Sequence, residues 1–428
     1  MTLIERSFRE RIILVGVLSW PRDLRDIEES LDELESLVNT AGADVVHRII
    51  QTKSAIDPAT YIGTGKAEEL HMLCEHFDVD TVVFDEDLTP AQHRNLEKIL
   101  GRTAIDRTAV ILDIFAQNAR TEEGRAQVEL AILRYRLPRL RGQGLSLSKQ
   151  AGGIGTRGPG ETKLETDRRQ ITRHITRLEK QLKELEANRS IQRKSRAKSS
   201  IRSVALVGYT NAGKSTLLNA LTHSDVLVQD RLFSTLDPRT KRLKLPGGEQ
   251  ITCSDTVGFV KKLPHQLVES FHSTLEEVRR ADLLLHVVDA GAKDPEDQMH
   301  SVRHVLHEIE ADSVDELLVF NKADLNPEQA SVLHDRYEDS VVVSAEKGNN
   351  IDSLLTNLAR HLRAEDVYLE LSIPYDKASI LDLLHKVGEI VQRRDESESV
   401  EIKARVKKRF ASEFSPFVLN MQREENTP

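Results

Sequence analysis

An α/β fold in several domains is what the sequence predicts, and three observations predict it. Short apolar runs alternate with amphipathic helical stretches over much of the 428 residues, the pattern of sheets covered by helices. One alternation is sharply punctuated: apolar Ser203–Val207, a glycine-bearing stretch Gly208–Thr216, then the helix-like run Leu217–Leu221. Composition leaves room for cores, with 39% hydrophobic and 30% charged residues, and the length suits roughly two to four domains.

The punctuated stretch organises the rest. It reads Gly208-Tyr209-Thr210-Asn211-Ala212-Gly213-Lys214-Ser215-Thr216, a G-x-x-x-x-G-K-[ST] phosphate loop between strand and helix. Backbone N–H groups of such a loop point inward, and the helix N-terminus favours negative charge. Gly208 and Gly213 permit the tight path. Lys214 can reach the β/γ-phosphates, and Ser215 can hold Mg²⁺.

Three later strings narrow the nucleotide. Leu245–Thr252 reads toward a strand that ends at Asp255-Thr256-Val257-Gly258. A carboxylate there can take the outer shell of the Mg²⁺, and the Gly258 amide can meet a γ-phosphate. Leu317–Phe320 leads to Asn321-Lys322-Ala323-Asp324, and Val341–Val343 leads to Ser344-Ala345-Glu346-Lys347. The Asp324 carboxylate can accept from guanine N1–H and N2–H₂ together, which adenine cannot offer. The Lys322 stem can lie along the base. Each string alone is weak; in this order, each at a strand end, they predict a P-loop GTPase domain. Phe233-Ser234-Thr235-Leu-Asp-Pro238 lies between the loop and Asp255, and Thr235 is placed to report the γ-phosphate and Mg²⁺. Lys214, Thr235 and Gly258 are the expected catalytic groups.

The whole chain sets bounds. No apolar run is long enough to span a bilayer. Met1–Glu10 lacks a long apolar region and a cleavage site, so Ile12–Leu18 reads as a strand. Cys74 and Cys253 have no metal spacing and read as buried reduced thiols of a cytosolic protein. Net charge is −9, yet Ala116–Ser200 holds 20 Lys and Arg against 9 Asp and Glu, a balance of +11. One basic section in an acidic chain suits a polyanion.

Residues 1–115 alternate strand and helix signals. Arg11–Leu18, Asp44–Ile50 and Thr81–Phe84 read as strands. Asp23–Thr40 and Thr89–Leu100 read as helices, the second with Thr89-Pro90 as cap and first residue. A small α/β domain with a parallel sheet follows. Asp85-Glu86-Asp87 reads as a solvated loop rather than a metal site. Gly63-Thr-Gly-Lys66 lacks phosphate-loop spacing and reads as a turn before the helix Ala67–His76.

Residues 116–200 predict a coiled-coil-like helical hairpin. Glu123–Leu140 is a helix with Val128, Ile132 and Tyr135 on one face, and Pro138 ends or kinks it. Leu164, Ile171, Ile175, Leu178, Leu182 and Leu185 step as a heptad seam that Arg168 interrupts. Between them, Gly153-Ile-Gly-Thr-Arg-Gly158 matches G-x-G-x-x-G, but no strand precedes it and the dinucleotide reading fails. The stretch reads equally as a linker or as a mobile tip, basic at Arg141, Lys149, Arg157 and Lys163, that folds onto RNA.

Residues 201–363 carry the GTPase domain. Ala281–Asp289 adds a buried strand, Ile351–Leu362 closes the domain, and Asp294–Glu310 is a helix whose His300, His304 and His307 read as a solvated face. Residues 364–428 predict a small α+β domain. Its parts are a strand Val367–Ile373, a helix Ser379–Gln392, a turn Arg394–Ser399, a strand Val400–Val406, and a frayed end, Gln422–Pro428.

With these parts the chain resembles the HflX-type GTPases, in the Obg–HflX group of translation-factor-related GTPases. The match is carried by Tyr61–Lys66, Gly152–Glu165, Gly208–Thr216, Phe233–Pro238, Asp255–Phe259 and Asn321–Asp324. Lys163 stands where the family often has Gln. The resemblance implies binding to the large ribosomal subunit and its ribosomal RNA in the GTP state, with hydrolysis of GTP to GDP stimulated there. It implies splitting or rescue of stalled or idle ribosomes under stress. The alternatives are a GTP-regulated RNA-binding or remodelling protein and a large-subunit assembly factor. The expected protein is a monomer in the cytoplasm with no DNA partner and no membrane insertion; peripheral membrane contact stays open. Phe259 occupies the position where Ras-like proteins place a water-orienting Gln. Mg²⁺ is the expected cofactor. Asn211 either helps to hold K⁺ beside the β/γ-phosphates or merely braces the loop, and the two readings stand level.

Overall fold

The computed structural model describes residues 9–19, 23–140, 159–197, 201–222, 232–233, 235, 239–262, 272–364 and 366–423. These pack into two units. The first takes the described residues of Met1–Glu184, Gln229–Asp237 and Val260–His272; the second takes those of Leu185–Val228, Pro238–Phe259 and Ser273–Pro428.

The first unit is built on a parallel sheet of order β2-β1-β3-β4. Its strands are β1 (Arg11–Leu18), β2 (Asp44–Thr52), β3 (Thr81–Phe84) and β4 (Thr103–Asp106). Helices α1 (Leu24–Ala41), α2 (Thr64–His76) and α3 (Pro90–Leu100) connect the strands. β1 sits inside the sheet, so Ile13, Leu14 and Val15 are wholly buried. Each fully buried aliphatic side chain of that kind contributes about 1.5–3 kcal/mol. Local chemistry sets the helix ends. Asp23 and Asp26 form a capping box on α1, and Thr89 and Gln92 form another on α3 with Pro90 at the first turn. β4 and the following helix α4 (Arg107–Asn118) carry no strong sequence signal. Asp106 ends the strand and also caps α4, accepting from Ala109 N at 3.1 Å.

Asp85 departs from its expectation. It is wholly buried at the carboxyl end of β3. Arg107 Nη1 donates to it at 3.0 Å and Ser30 Oγ at 2.7 Å. Asp87 accepts from Thr108 Oγ1 at 2.6 Å. The acidic string reads as a solvated loop in sequence because its cationic partners, Arg107 and Lys262, lie further along the chain. Among the described residues no cluster of His, Cys, Asp or Glu could hold a metal.

Helices α5 (Glu122–Arg139) and α6 (Pro159–Ala197) follow. They run antiparallel, with Glu122 3.0 Å from Gln181 and Glu129 3.4 Å from His174. The seam holds Ile171, Ile175, Leu178 and Leu182 of α6 against Ala126, Leu130, Leu133 and Leu137 of α5. Val128 and Tyr135, expected to form the apolar face of α5, lie on its other side, where Tyr135 Oη donates to Asp106 at 2.8 Å. α5 therefore has two apolar faces, one for the hairpin and one for the sheet domain. Arg141, Lys149 and Arg157 lie outside the described residues; Lys163 lies on α6, not in a loop.

The second unit holds a six-stranded sheet of order β10-β9-β8-β5-β7-β6, parallel except for β6. The strands are β5 (Arg202–Gly208), β6 (Arg239–Lys244), β7 (Gln250–Asp255), β8 (Leu283–Asp289), β9 (Glu316–Asn321) and β10 (Ser340–Val342). The helices are α7 (Lys214–Thr222), α8 (His272–Arg279), α9 (Pro295–Glu308), α10 (Pro327–Arg336) and α11 (Ile351–Arg363). Of the stretch Leu245–Thr252, Gln250–Thr252 begin β7 as expected, while Leu245–Glu249 form the turn of the β6–β7 hairpin, where Gly247 and Gly248 take φ +100° and +93°. His304 and His307 on α9 are 74% and 76% exposed, a solvated face as expected.

The chain ends in an antiparallel sheet of order β12-β13-β11-β14. Its strands are β11 (Asp366–Pro374), β12 (Gly388–Asp395), β13 (Ser399–Lys407) and β14 (Val418–Arg423). Helices α12 (Ala378–Val387) and α13 (Lys408–Ala411) complete a β-α-β-β-α-β order. The expected helix Ser379–Gln392 stops at Val387. Beyond it Ile390 pairs with Ala404 across the ladder and adds to the sheet core. Gln422 and Arg423, expected to fray, pair with Tyr368 and Val367. Cys74 and Cys253 are free and buried.

Candidate functional site

The phosphate-loop stretch joins β5 to α7 at the middle of the sheet, where strand order reverses, the usual place for a ligand in such sheets. β5 is apolar and buried because β7 and β8 flank it. Lys214, 6% exposed, bends back so that its Nζ donates to Gly208 O at 3.0 Å and Tyr209 O at 2.8 Å. Burial pushes the ammonium down from 10.5 to about 8; Lys322 adds to the fall and Asp255 opposes it.

Ser215 Oγ donates to Asp255 Oδ2 at 2.6 Å. Asp255 is wholly buried, and its Oδ1 has no hydrogen-bond partner. A hydroxyl beside a carboxylate with a spare buried oxygen is a donor set that fits Mg²⁺. Thr256 Oγ1 fixes the next residue by donating to Leu206 O at 2.6 Å. Val257 is buried, and Gly258 passes close to the loop: a Cβ there would lie 2.8 Å from Thr210 Cγ2 and 3.1 Å from Lys214 Nζ. Only glycine allows that approach. Phe259 is bridged to Tyr209, accepts from Thr210 N at 2.7 Å, and is 1% exposed. Its ring is buried and carries no group that can hydrogen-bond.

The Gly208–Thr216 stretch is tied to the Asn321–Asp324 and Ser344–Lys347 stretches by one amide. Asn321, 2% exposed, donates from Nδ2 to Ala212 O at 2.9 Å and accepts from Ala345 N at 3.0 Å. Gly213 has φ +89°, and a Cβ there would lie 2.3 Å from Asn321 Nδ2. Lys322 takes φ +59° and its Nζ meets Asp289 Oδ2 at 2.8 Å. Asp289 was not singled out from sequence; its signal is a carboxylate at the end of the strand beside the base strand. Ala323 is half-buried, Asp324 and Glu346 are exposed, and Ser344 is buried with its Oγ accepting from Lys347 N at 3.3 Å. Asn211 has φ +61°, is exposed, and makes no side-chain hydrogen bond among the described residues. Thr216 is half-buried on α7.

Of the Phe233–Pro238 stretch, Phe233 and Thr235 are described and buried, at 2% and 7% exposure. Ser234 lies outside the described residues.

Three family models match the chain: GTP-binding GTPase N-terminal over residues 28–116, GTP-binding GTPase Middle Region over 118–196, and 50S ribosome-binding GTPase over 203–322. The GTPase HflX of Caldanaerobacter subterraneus subsp. tengcongensis is 47% identical over 398 residues, 93% of this chain and 91% of that protein. The GTPase HflX of Escherichia coli is 41% identical over 403 residues, 93% of each. A solved GTP-binding protein from the hyperthermophilic archaeon Sulfolobus solfataricus, in complex with GDP, is 23% identical with a TM-score of 0.43, covering 82% of this chain and 98% of that one. The strand, glycine loop and helix at Gly208–Thr216 thus stand in a chain that belongs to the HflX family of GTPases and hydrolyses GTP.

Proposed function

We propose that this GTPase acts on the large ribosomal subunit, binding it with GTP and splitting or rescuing stalled or idle ribosomes under stress. The observation that carries the reading is a GTPase domain joined to an antiparallel helical hairpin within a section of 20 basic and 9 acidic residues. Ribosomal RNA is the polyanion that such a section suits. The description 50S ribosome-binding GTPase for residues 203–322 points the same way. In this reading residues 1–115 and 116–200 meet the ribosome, 201–363 turn over GTP, and 364–428 are an appended domain.

The site residues divide the chemistry. Backbone N–H groups of Gly208–Thr216 cradle the phosphates, and Lys214 places its charge on the β/γ side. Ser215, Thr235 and, through water, Asp255 would hold Mg²⁺, which when bound neutralises phosphate charge. Gly258 offers its amide to the terminal phosphate, a group that matters most as charge builds there. Asp324 reads the guanine edge, with Lys322 held along the base by Asp289. Because Phe259 orients no water, basal turnover is slow, and the accelerating group comes from the ribosome or from a K⁺ ion beside Asn211.

Sedimentation of intact ribosomes with the full chain and a non-hydrolysable GTP analogue tests the proposal. The protein should travel with large subunits while the intact-ribosome peak falls. A protein left at the top of the gradient would refute it. A hydrolysis rate indifferent to added large subunits would favour the RNA-binding alternative.

A further inference from the structure

Two residues that border the nucleotide strings have left-handed backbone. Phe233, two residues before Thr235, has φ +56°, and Lys262, four residues after Gly258, also has φ +56°. A bulky residue holds that conformation only where its surroundings over-determine it. Both sets of surroundings lie in the first unit, and both lead to α4. The Phe233 ring meets Phe115 edge to face, with centroids 4.6 Å apart at 79°. The Phe233 carbonyl accepts from Asn118 Nδ2 at 2.9 Å. Phe115 and Asn118 form the last turn of α4. Lys262 Nζ pairs with Asp85, and it lies 2.9 Å from Ser30 Oγ and from Glu86 Oε1. Asp85 is held in turn by Arg107, the first residue of α4.

We propose that α4 is the positioning element for GTP hydrolysis. Asn118 and Phe115 set the place of Thr235 through Phe233, and Arg107 sets the segment after Gly258 through Asp85 and Lys262. Asn118, Phe115, Arg107, Asp85 and Lys262 are positioning residues, since none of them belongs to the nucleotide strings. The inference rests on the role given above to Thr235. A helix of 12 residues is a stiff rod about 18 Å long, so gripping one segment at each end fixes their spacing. Segments ordered in advance cost less to order on the ligand. GDP has no terminal phosphate and makes no demand on either segment, so the effect is specific to GTP.

Asn118→Ala, made in the full chain, removes one grip at the end of a helix. It should weaken binding of a non-hydrolysable GTP analogue and slow turnover, each by roughly three- to tenfold, the span of one hydrogen bond. GDP affinity should stay within about twofold. Lys262→Gln should give the same GTP-selective loss from the other end of α4. Thr235→Ala and the double variant Asn118→Ala/Thr235→Ala separate the causes. If Asn118 acts through Thr235, the double variant turns over no more slowly than Thr235→Ala alone. Additive losses, equal losses of GTP and GDP affinity, or a faster rate in Asn118→Ala would overturn the inference. A normal rate in Thr235→Ala would show instead that the role of Thr235 had failed, and the inference would fall with it.

Discussion

Asn321→Asp asks whether one buried amide carries the link between phosphate loop and base loop. Aspartate has the same size and keeps an acceptor for Ala345 N, but when ionised it cannot donate. The Ala212 carbonyl, now bonded at 2.9 Å, would face a carboxylate oxygen. Leaving a buried carbonyl without its donor costs about 1–3 kcal/mol. At about 1.4 kcal/mol per tenfold, that is a loss of roughly 5- to 150-fold if it falls wholly on binding. The loop has little slack to absorb it, because Gly213 already lies against Asn321 Nδ2. Protonation restores a donor: a carboxylic O–H can again reach Ala212. Burial raises the pKa of such a carboxyl, so the loss should shrink as pH falls from about 8 toward about 5. Titration calorimetry with GDP at both pH values measures this beside the wild type, with urea unfolding to read any part lost to stability. GDP affinity within about twofold of wild type at pH near 8, or an identical loss at both pH values, would refute the reasoning.

Other outcomes follow from the same site. Asp324→Asn should move preference from GTP toward xanthosine triphosphate in competition binding; unchanged selectivity would place base reading elsewhere. Lys214 is held at about 8 by burial, whereas bound phosphates favour its charged form. Below about pH 8 binding needs no proton; above it one must be taken up, so GDP affinity should fall by up to about tenfold per pH unit between about pH 8 and 9. A flat profile over that range counts against it. Hydrolysis should run faster in K⁺ than in Na⁺ at equal ionic strength, and Asn211→Ala should erase the difference while keeping affinity within about tenfold. Equal rates in both salts, with and without large subunits, would end the potassium reading. Neutralising Arg157 and Lys163 together should weaken ribosome binding and flatten its salt dependence, with basal hydrolysis unchanged; a matching loss of basal hydrolysis would mean a structural role.

The strand, loop and helix around Gly208–Ser215 were legible because the chemistry expected of a phosphate loop is local. Gly208–Ser215 makes its cradle from consecutive backbone groups, so residue order alone specifies it. Helix ends were legible for the same reason: Thr89 caps α3 through Gln92, three residues on. The apolar runs of β1 and β3 made a parallel first sheet legible, since strands buried on both faces read as nearly continuous apolar runs, whereas β4, Thr-Ala-Ile-Asp, gave no such signal. What only the tertiary structure decided depends on partners distant in sequence. Asp85 reads as a solvated loop until Arg107, 22 residues later, and Ser30, 55 residues earlier, neutralise and bond it. α5 shows one apolar face in a helical count and two once α6 packs on it. The helix expected to reach Gln392 ends at Val387 because the next residues gain a ladder with β13. The Asn321 brace joins residues 109 apart. The grip of α4 on Phe233 spans 115 residues. A buried charge or amide is tolerated only with its partner in place, and sequence fixes which groups need partners, while the packed chain alone decides which ones meet.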